Sequence, residues 1–414
     1  MERLRQLVLP ERFVGYASLT TLLVVPWLDR TLGSTLAIAY VWALLALSYN
    51  VLIGLAGIAS FGHAVPFGVA AFLTAIMLNA GVPYAATMIC AALVAALAYT
   101  AVGVPAFRVR GLYYAILTLA VAEALRSTIE STARTTVAIT VGSIPELTSA
   151  FGLWLYLAVL ALALAVTFVS AVNDVRYTRR RRVKWAKTVV YAAMLALLAA
   201  ASVKSFADSL GFLAELGAGA PYVKVIRFLY PINLYLLSLL TLYVSYLVVK
   251  RISVSPLGAS LLAVRENPIR ASVLGYNVFA HQLAAFLISG FFAGVAGSVY
   301  VALIPTVMTD VFSSDKTFTA LVGTIVGGIG TLPGPIIGGI LVGVLRDYLS
   351  ALSPTLLSVG WLSMQQAQLL PSFLLGLLYV VVVLSLPYGI WGTWLLRGWR
   401  LKRRLEALLG GETS

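Results

Sequence analysis

The chain has 414 residues, of which 61% are hydrophobic and 11% are charged. Soluble domains carry about one-quarter charged residues, so this composition excludes an ordinary soluble fold and indicates a polytopic membrane protein. Apolar runs of about 20 residues recur along the chain, which is the length that crosses a hydrocarbon core of about 30 Å as a helix. Because alternating strands of about ten residues are absent, we expect an all-α bundle of about 10–12 hydrophobic segments.

Missing motifs exclude several kinds of chemistry. No GxxxxGK[ST] phosphate loop occurs, so we expect this chain neither to hydrolyse a nucleotide by that route nor to hold a cofactor. The single Cys90 excludes an intramolecular disulfide and a cysteine metal site. It lies in an apolar run, and we expect it to be a small core residue. With only two histidines we expect no metal site.

In chain order, the apolar runs predict membrane spans. They cover residues 13–28, 34–54, 60–79, 83–105, 112–129, 152–172, 188–206, 229–249, 281–304 and 366–386. Two shorter runs, 318–332 and 335–350, each fall below the usual minimum of about 17 residues for a crossing. They meet at Pro333-Gly334-Pro335 and predict a re-entrant or half-length hairpin broken at glycine and proline.

The basic residues predict the orientation. The net charge of +14 is concentrated in the N-terminal segment, in 176–187, in 250–280 and after residue 397. Positively charged loops beside spans mark the cytoplasmic side, so we expect a multi-pass protein of the cell membrane with both termini inside. No soluble module carries the charge, which argues against nucleic-acid binding.

Two glycine-dense stretches, 54–68 and 323–339, interrupt the spans. Interrupted segments in both halves of a membrane protein often mark a translocation path, and close helix packing is the alternative role. Gly290 and Gly294 form a further GxxxG, for which packing is the favoured role.

Few polar groups fall inside the spans. Glu123 lies in the middle of one, where a carboxylate must face protein or water, and Arg126 is one turn away. A structural ion pair and a direct substrate or proton role are both compatible with this position. Asn50 and His63 lie beside the first glycine stretch, where interhelical hydrogen bonding is favoured over a ligand role.

Four segments together resemble the integral-membrane permease subunit of branched-chain amino acid ABC importers. The first is LSYNVLIGLAGIASFGHAVPF at 47–67, and the second is RGLYYAILTLAVAEALR at 110–126. The third is the polar segment 250–280, which we call the coupling segment, and the fourth is the glycine-rich stretch 327–335. The resemblance covers roughly residues 35–130 and 229–390.

The resemblance implies a single transmembrane permease domain over 1–414 that imports branched-chain amino acids or a related small solute. It implies two ATP-binding cassette ATPase subunits, a second permease subunit and an extracellular or periplasmic substrate-binding protein as partners. The residues it assigns to ATPase coupling are Gly258, Ala263, Arg265, Glu266, Asn267, Ala271 and Gly275. Those expected along the translocation path are Asn50, Gly54, Gly57, Gly62, His63, Glu123, Gly327, Gly328, Gly330 and Gly334.

The chain departs from the family pattern at two places. Residues 134–147 lack the usual Gly-rich, Asp-containing loop, which leaves the transported solute open. Residues 152–228 predict an inserted pair of helices, whose basic loop either contacts anionic membrane lipid or only enforces orientation. The rival hypothesis is a stand-alone secondary transporter that uses Glu123 as its ion-coupling carboxylate.

Overall fold

The computed structural model describes residues 30–106, 112–132, 139–141, 221–358 and scattered positions between 373 and 393. Ten α-helices are named within them: α1 Arg30–Asn50, α2 Ala64–Asn79, α3 Tyr84–Ala106, α4 Leu112–Thr132, α5 Pro221–Ser253, α6 Pro256–Glu266, α7 Pro268–Val273, α8 Val278–Leu303, α9 Ser314–Gly327 and α10 Pro333–Ser358. A π-helix, Val51–Leu55, continues α1, and a 3₁₀ turn at Thr309–Phe312 precedes α9. Two short antiparallel strands, β1 Ile139–Thr140 and β2 Thr306–Val307, pair Ile139 with Val307.

The all-α membrane architecture is confirmed. Five helical segments among the described residues are long and apolar enough to cross a membrane: Thr31–Leu55, Tyr84–Val104, Ile232–Ser253, Val278–Leu303 and Pro333–Ala351. The predicted spans 13–28, 152–172 and 188–206 lie outside the described residues, as does nearly all of the predicted insertion 152–228.

The chain divides into two compact units. One contains residues 1–34 and 143–237, and the other contains residues 35–142 and 238–414. The first unit includes the predicted insertion, and its described residues are 30–34 and 221–237. All the sites described below belong to the second unit.

The second unit is built around α8, which packs on α2 and α3. Small residues allow the backbones to meet: a Cβ at Gly294 would lie 2.8 Å from the Cα of Ala92, and one at Gly290 would lie 3.0 Å from the Cα of Ala96. The packing role predicted for this glycine pair is therefore confirmed.

One face of α3 is exposed and apolar, as expected of a lipid-facing surface. Ile89, Leu93 and Leu97 lie on it with exposed fractions of 52%, 51% and 62%. Cys90 is also exposed, so the prediction that it belongs to the core was wrong. An apolar run that is hydrophobic all round does not distinguish the lipid face from the protein face.

The predicted half-length hairpin is only half right. Its first limb, α9, has 14 residues and is short, but its second limb, α10, has 26 residues and includes a full-length candidate span. The predicted limb, 335–350, was too short, because the helix runs from Pro333 to Ser358. The side chains of Arg346 and Asp347 have protein partners, namely Asp315 and Thr319 for Arg346 and Thr35 for Asp347, and the helix continues past them.

Candidate functional site: the coupling segment and its glycine contacts

Three side-chain caps shape the coupling segment. Ser255 accepts a hydrogen bond from the Gly258 amide and begins α6, with Pro256 in its first turn. Asn267 ends α6 and caps α7, where its Oδ1 accepts from the Arg270 amide at 3.0 Å. Asn277 caps α8 in the same way. Caps of this kind satisfy amides that a helix start leaves unpaired, so three successive helices begin at fixed positions.

The residues predicted to couple to an ATPase divide into two groups. Gly258 and Ala271 are buried, and a Cβ at Gly258 would lie 2.4 Å from the backbone oxygens of Ile252 and Ser253. Ala263, Arg265, Glu266 and Gly275 are exposed, and Asn267 lies between the two groups at intermediate exposure. The buried group holds the segment against the bundle, and the exposed group is available to a partner.

Sequence reasoning missed three exposed apolar residues grouped in one part of the segment. Ile269, Val273 and Leu274 are exposed by 70%, 82% and 75%, and all three belong to α7 or its C-terminal end. The available signal was their chemical type: three large aliphatic side chains in a polar segment that ought to be solvated.

Arg265 is exposed and its guanidinium also reaches the bundle, while its place in an ATPase groove stays a prediction. Its Nη1 donates a hydrogen bond to the carbonyl oxygen of Gly54 in the π-helix. This carbonyl belongs to a helix C-terminus, where carbonyls lack intrahelical donors and a positive charge is favoured. The contact therefore connects α6 to the end of α1 and its π-helical extension.

Glycine is required where Arg265 crosses this turn. Gly57 has φ +71°, and a Cβ there would lie 2.7 Å from Cγ of Arg265. Gly330 has φ +77°, and a Cβ there would lie 3.3 Å from Nη1 of Arg265. One arginine from the coupling segment thus lies against both glycine-dense stretches, at Gly57 and at Gly330, which are 273 positions apart in sequence.

Asn50 joins the same two stretches directly. Its Nδ2 donates to the Thr331 carbonyl at 2.8 Å, and its Oδ1 accepts from the Gly330 amide at 2.9 Å. The side chain is buried and satisfies one donor and one acceptor of the loop between α9 and α10. We call Asn50, Gly54, Gly57, Arg265 and Gly330 the arginine joint.

His63 lies in a separate buried network. Its Nε2 is 2.8 Å from Oγ of Ser48 and its Nδ1 is 3.3 Å from the Tyr99 hydroxyl. Because Ser48 donates its own proton to the Leu45 carbonyl, Nε2 carries the imidazole proton and Nδ1 accepts from Tyr99. This arrangement is an interhelical hydrogen bond between α1, α3 and the start of α2.

The remaining glycine candidates serve close packing. A Cβ at Gly62 would lie 2.7 Å from the Thr118 carbonyl oxygen. At Gly327 it would lie 1.9 Å from the Gly334 carbonyl oxygen, and the Cα of Gly328 would lie 2.5 Å from a Cβ at Gly389. A Cβ at Gly334 would lie 2.2 Å from Oγ1 of Thr331. These glycines let the limbs of the hairpin and their neighbours touch.

Glu123 is paired as predicted. Its Oε1 is 3.2 Å from Nη1 of Arg126, whose Nε is 3.1 Å from Oε1 of Glu130. Glu130 also accepts from Thr309 at 2.9 Å, which connects α4 to the 3₁₀ turn. The Glu123–Arg126 pair lies within α4, and the Glu123 side chain is 46% exposed.

A small cavity lies outside all of the predicted site residues. It is partly open, has a volume of about 170 Å³ and is lined by Ile38, Trp42, Tyr300, Ile304, Lys316, Gly343, Arg346, Asp347 and Ser350. The sequence signal for it was the pair Arg346-Asp347 inside an apolar run, since charges within spans usually mark functional positions.

Comparison with known sequences places the chain in a protein family. The profile described as "Branched-chain amino acid transport system / permease component" matches residues 134–386, which is more than half of the chain. The chain belongs to this permease family. It is therefore a membrane transport component, and the expected resemblance is confirmed.

Individual relatives match shorter parts of this permease. The high-affinity branched-chain amino acid transport system permease protein LivM of Escherichia coli is 34% identical over 118 residues, 28% of each chain. The probable branched-chain amino acid transport permease protein LivH of Methanocaldococcus jannaschii is 27% identical over 150 residues, 36% of this chain and 43% of its own. The guanosine ABC transporter permease protein NupQ of Bacillus subtilis is 33% identical over 73 residues, 18% of this chain and 23% of its own.

The chain thus aligns with less than half the length of each of these relatives. No solved structure matches it. None of these relatives supports the rival hypothesis of an ion-coupled secondary transporter.

Proposed function

We propose that this permease is one membrane-spanning subunit of an ABC importer for branched-chain or other hydrophobic amino acids, or a related small solute. The observation that carries the proposal is the arginine joint, because it gives a polar segment on one face of the bundle a direct contact with both glycine-dense stretches. A transporter driven from outside its membrane domain needs such a connection.

The exposed apolar face of α7 is the proposed contact for the ATPase subunits. Ile269, Val273 and Leu274 would fill an apolar groove, while Glu266 and the exposed backbone of Gly275 would lie at its polar edge. Interfaces of this kind have an apolar centre and a polar rim. ATP hydrolysis belongs to those separate subunits in this scheme.

Movement of α6 would reach the bundle through Arg265. The guanidinium is hydrogen-bonded to the Gly54 carbonyl, so a shift of α6 pulls on the π-helical end of α1. Asn50 carries the same shift to the loop between α9 and α10. Alternating access then follows from α1 and the hairpin rocking about glycine positions, which offer little steric resistance.

The full assembly would contain a second permease subunit and an extracellular or periplasmic substrate-binding protein. The coupling segment would face the cytoplasm together with both termini, in agreement with the distribution of basic residues. The insertion 152–228 would belong to the single permease domain, and its basic loop would contact anionic lipid headgroups.

The test is L-leucine uptake into proteoliposomes. We expect ATP-dependent uptake by the complete complex and none by this chain alone under a proton or sodium gradient, and Glu123→Gln should retain uptake. Uptake by the chain alone that is lost in Glu123→Gln would establish the secondary transporter instead.

Arg265→Ala tests the joint within the same complex. We expect it to assemble with the ATPases and hydrolyse ATP while uptake per ATP hydrolysed falls sharply, because the outer face of α7 is unchanged. The exposed Arg251, in the last turn of α5, supplies the matched control Arg251→Ala. Equal uptake per ATP in the two variants would refute transmission through Arg265.

A further inference from the structure

The cavity between α1, α8, α9 and α10 lies at the end of the bundle away from the coupling segment. Helix α8 begins at Val278, beside that segment, and the cavity residues Tyr300 and Ile304 lie at and just beyond its other end. In the orientation proposed above, this is the side from which a binding protein delivers its solute.

Two cations converge on one indole ring in this cavity. The side chain of Lys316 is only 6% exposed, and its Nζ lies 3.0 Å from Oδ2 of Asp310 and 5.7 Å from the centroid of the Trp42 ring. The guanidinium carbon of Arg346 lies 5.3 Å from the same ring. Both distances fall within the range of cation–π attraction, so each cation is in contact with Trp42.

The positions of both cations are fixed by further partners. Arg346 donates to Oγ1 of Thr319 at 2.9 Å and to Oδ2 of Asp315 at 2.5 Å. Asp310 and Asp315, which neutralise the cations, are themselves 57% and 49% exposed and do not line the cavity. Lys316 and Arg346 therefore line the cavity, while their more exposed counter-ions do not.

The rest of the lining is largely apolar, with the polar side chains of Asp347 and Ser350 and the hydroxyl of Tyr300. Ile38 and Ile304 supply aliphatic surface, and Tyr300 adds an aromatic ring 5.9 Å from Nζ of Lys316. Asp347 lines the cavity and accepts a hydrogen bond from Thr35. The lining thus combines two positive groups, one negative group and an apolar wall.

We infer that this cavity binds a free α-amino acid with an apolar side chain during its passage through the permease. The solute carboxylate would lie near Lys316 and Arg346, its ammonium group near Asp347, and its side chain against the isoleucines and Trp42. A volume of about 170 Å³ suits a small solute, since pockets for drug-sized ligands run from about 300 to 1,000 Å³. The inference rests on the proposed function for the identity of the solute.

The test uses the single native cysteine of the chain. A Cys90→Ser background is free of cysteine, and Ser350→Cys then places one thiol on the cavity lining. The control Tyr348→Cys lies on the same helix at a position that is 65% exposed and does not line the cavity. Labelling by a small membrane-permeant maleimide is timed in the assembled complex with L-leucine, L-isoleucine, L-valine, leucinamide or 4-methylpentanoate.

We expect the three amino acids to slow labelling of Ser350→Cys several-fold and to leave Tyr348→Cys unchanged. Leucinamide lacks the carboxylate and 4-methylpentanoate lacks the ammonium group, so neither should protect. Adding Arg346→Gln should remove the protection while the control thiol keeps its labelling rate, which shows that α10 remains folded.

The outcomes separate this inference from the proposed function. ATP-driven uptake of an amino acid that fails to protect Ser350→Cys overturns the cavity assignment and leaves the importer proposal standing. Protection without ATP-driven uptake supports the cavity and overturns the importer. Equal protection by leucinamide overturns the role given to the two cations.

Discussion

The two ends of the second unit use different chemistry for contact between helices. At the arginine joint, one side chain and an asparagine bind backbone groups of glycine-rich turns. At the cavity, charged and aromatic side chains from α1, α8, α9 and α10 bind one another. Backbone contacts at glycine allow two segments to move together with few steric consequences, whereas a set of ion pairs and cation–π contacts among side chains holds one geometry.

From this difference we expect the arginine joint to move during transport and the cavity, at the other end of the same helices, to recognise the solute. Helices α1 and α10 contribute to the cavity, while the π-helical extension of α1 and the turn before α10 belong to or adjoin the joint. A shift that begins at Arg265 therefore has a continuous helical route to Trp42 and Arg346. Variants that affect one end and spare the other are the direct way to challenge this division.

The largest effect is expected for Gly57→Ala. An added Cβ would lie 2.7 Å from Cγ of Arg265 and would displace it. We expect uptake per ATP hydrolysed to fall by about tenfold, within the range of about 5–150-fold that coupling energies of about 1–3 kcal/mol produce. The measurement is paired uptake and ATPase activity in proteoliposomes.

Gly81→Ala is the matched control for this change. Gly81 has φ +81°, close to the +71° of Gly57, but no atom lies within 4 Å of the Cβ position. Both variants carry the left-handed backbone cost of about 1–2 kcal/mol, so only displacement of Arg265 separates them. Similar coupling in the two variants would mean that the joint transmits nothing.

Asn50→Leu should be the next most damaging change. It leaves the Gly330 amide and the Thr331 carbonyl without their side-chain partner, at a net loss of about 1 kcal/mol for each hydrogen bond. The exposed Asn79, which donates to the Thr140 carbonyl at 3.2 Å, supplies the control Asn79→Leu with a loss of about 1 kcal/mol or less. Thermal unfolding of the purified chain in detergent measures the stability of both variants. Equal losses of stability would contradict a special role for Asn50.

At the cavity end, Asp310→Asn should destabilise more than Lys316→Met. The first leaves the nearly buried ammonium without its counter-ion, at about 1–3 kcal/mol or more, while the second leaves only an exposed carboxylate. The double variant should recover the stability lost by Asp310→Asn, because neither charge remains.

Uptake by the double variant distinguishes solute recognition by the Lys316 charge from a purely structural role. If Lys316 recognises the solute, the double variant should unfold near the native temperature and still transport poorly. Native uptake by the double variant would reduce the Lys316–Asp310 pair to a structural contact and would weaken the contrast between the two ends.

The smallest effect is expected for Asn267→Ala. Loss of the cap on α7 should cost about 1 kcal/mol, and Asn267→Asp, which keeps an acceptor for the Arg270 amide, should cost less. Hydrogen exchange of α7 amides measures this local loss. Unchanged exchange in Asn267→Ala would show that Pro268 and packing alone fix the start of the helix.

Some of the site followed from residue types and spacing. The sequence carries local signals for two helix starts in the coupling segment, Ser255-Pro256 and Asn267-Pro268, because caps and N-terminal prolines act on neighbouring residues. Glu123 and Arg126 are one turn apart, so their pairing was also local. The direction of Arg265 had no local signal, since both the bundle and a partner protein offer hydrogen-bond acceptors.

The chain's own order of residues determined that it is a helical membrane protein, where most of its spans begin, and which segment interrupts them. The length of an apolar run, the charges beside it and the helix caps are all properties of neighbouring residues. The bilayer selects apolar runs by their length and orients them by the flanking charges. Only the tertiary structure decided that Arg265 meets Gly54, Gly57 and Gly330, and that Lys316 and Arg346 share the Trp42 ring. A membrane helix is apolar toward lipid and toward its neighbours alike, so its sequence alone does not encode which face meets which partner.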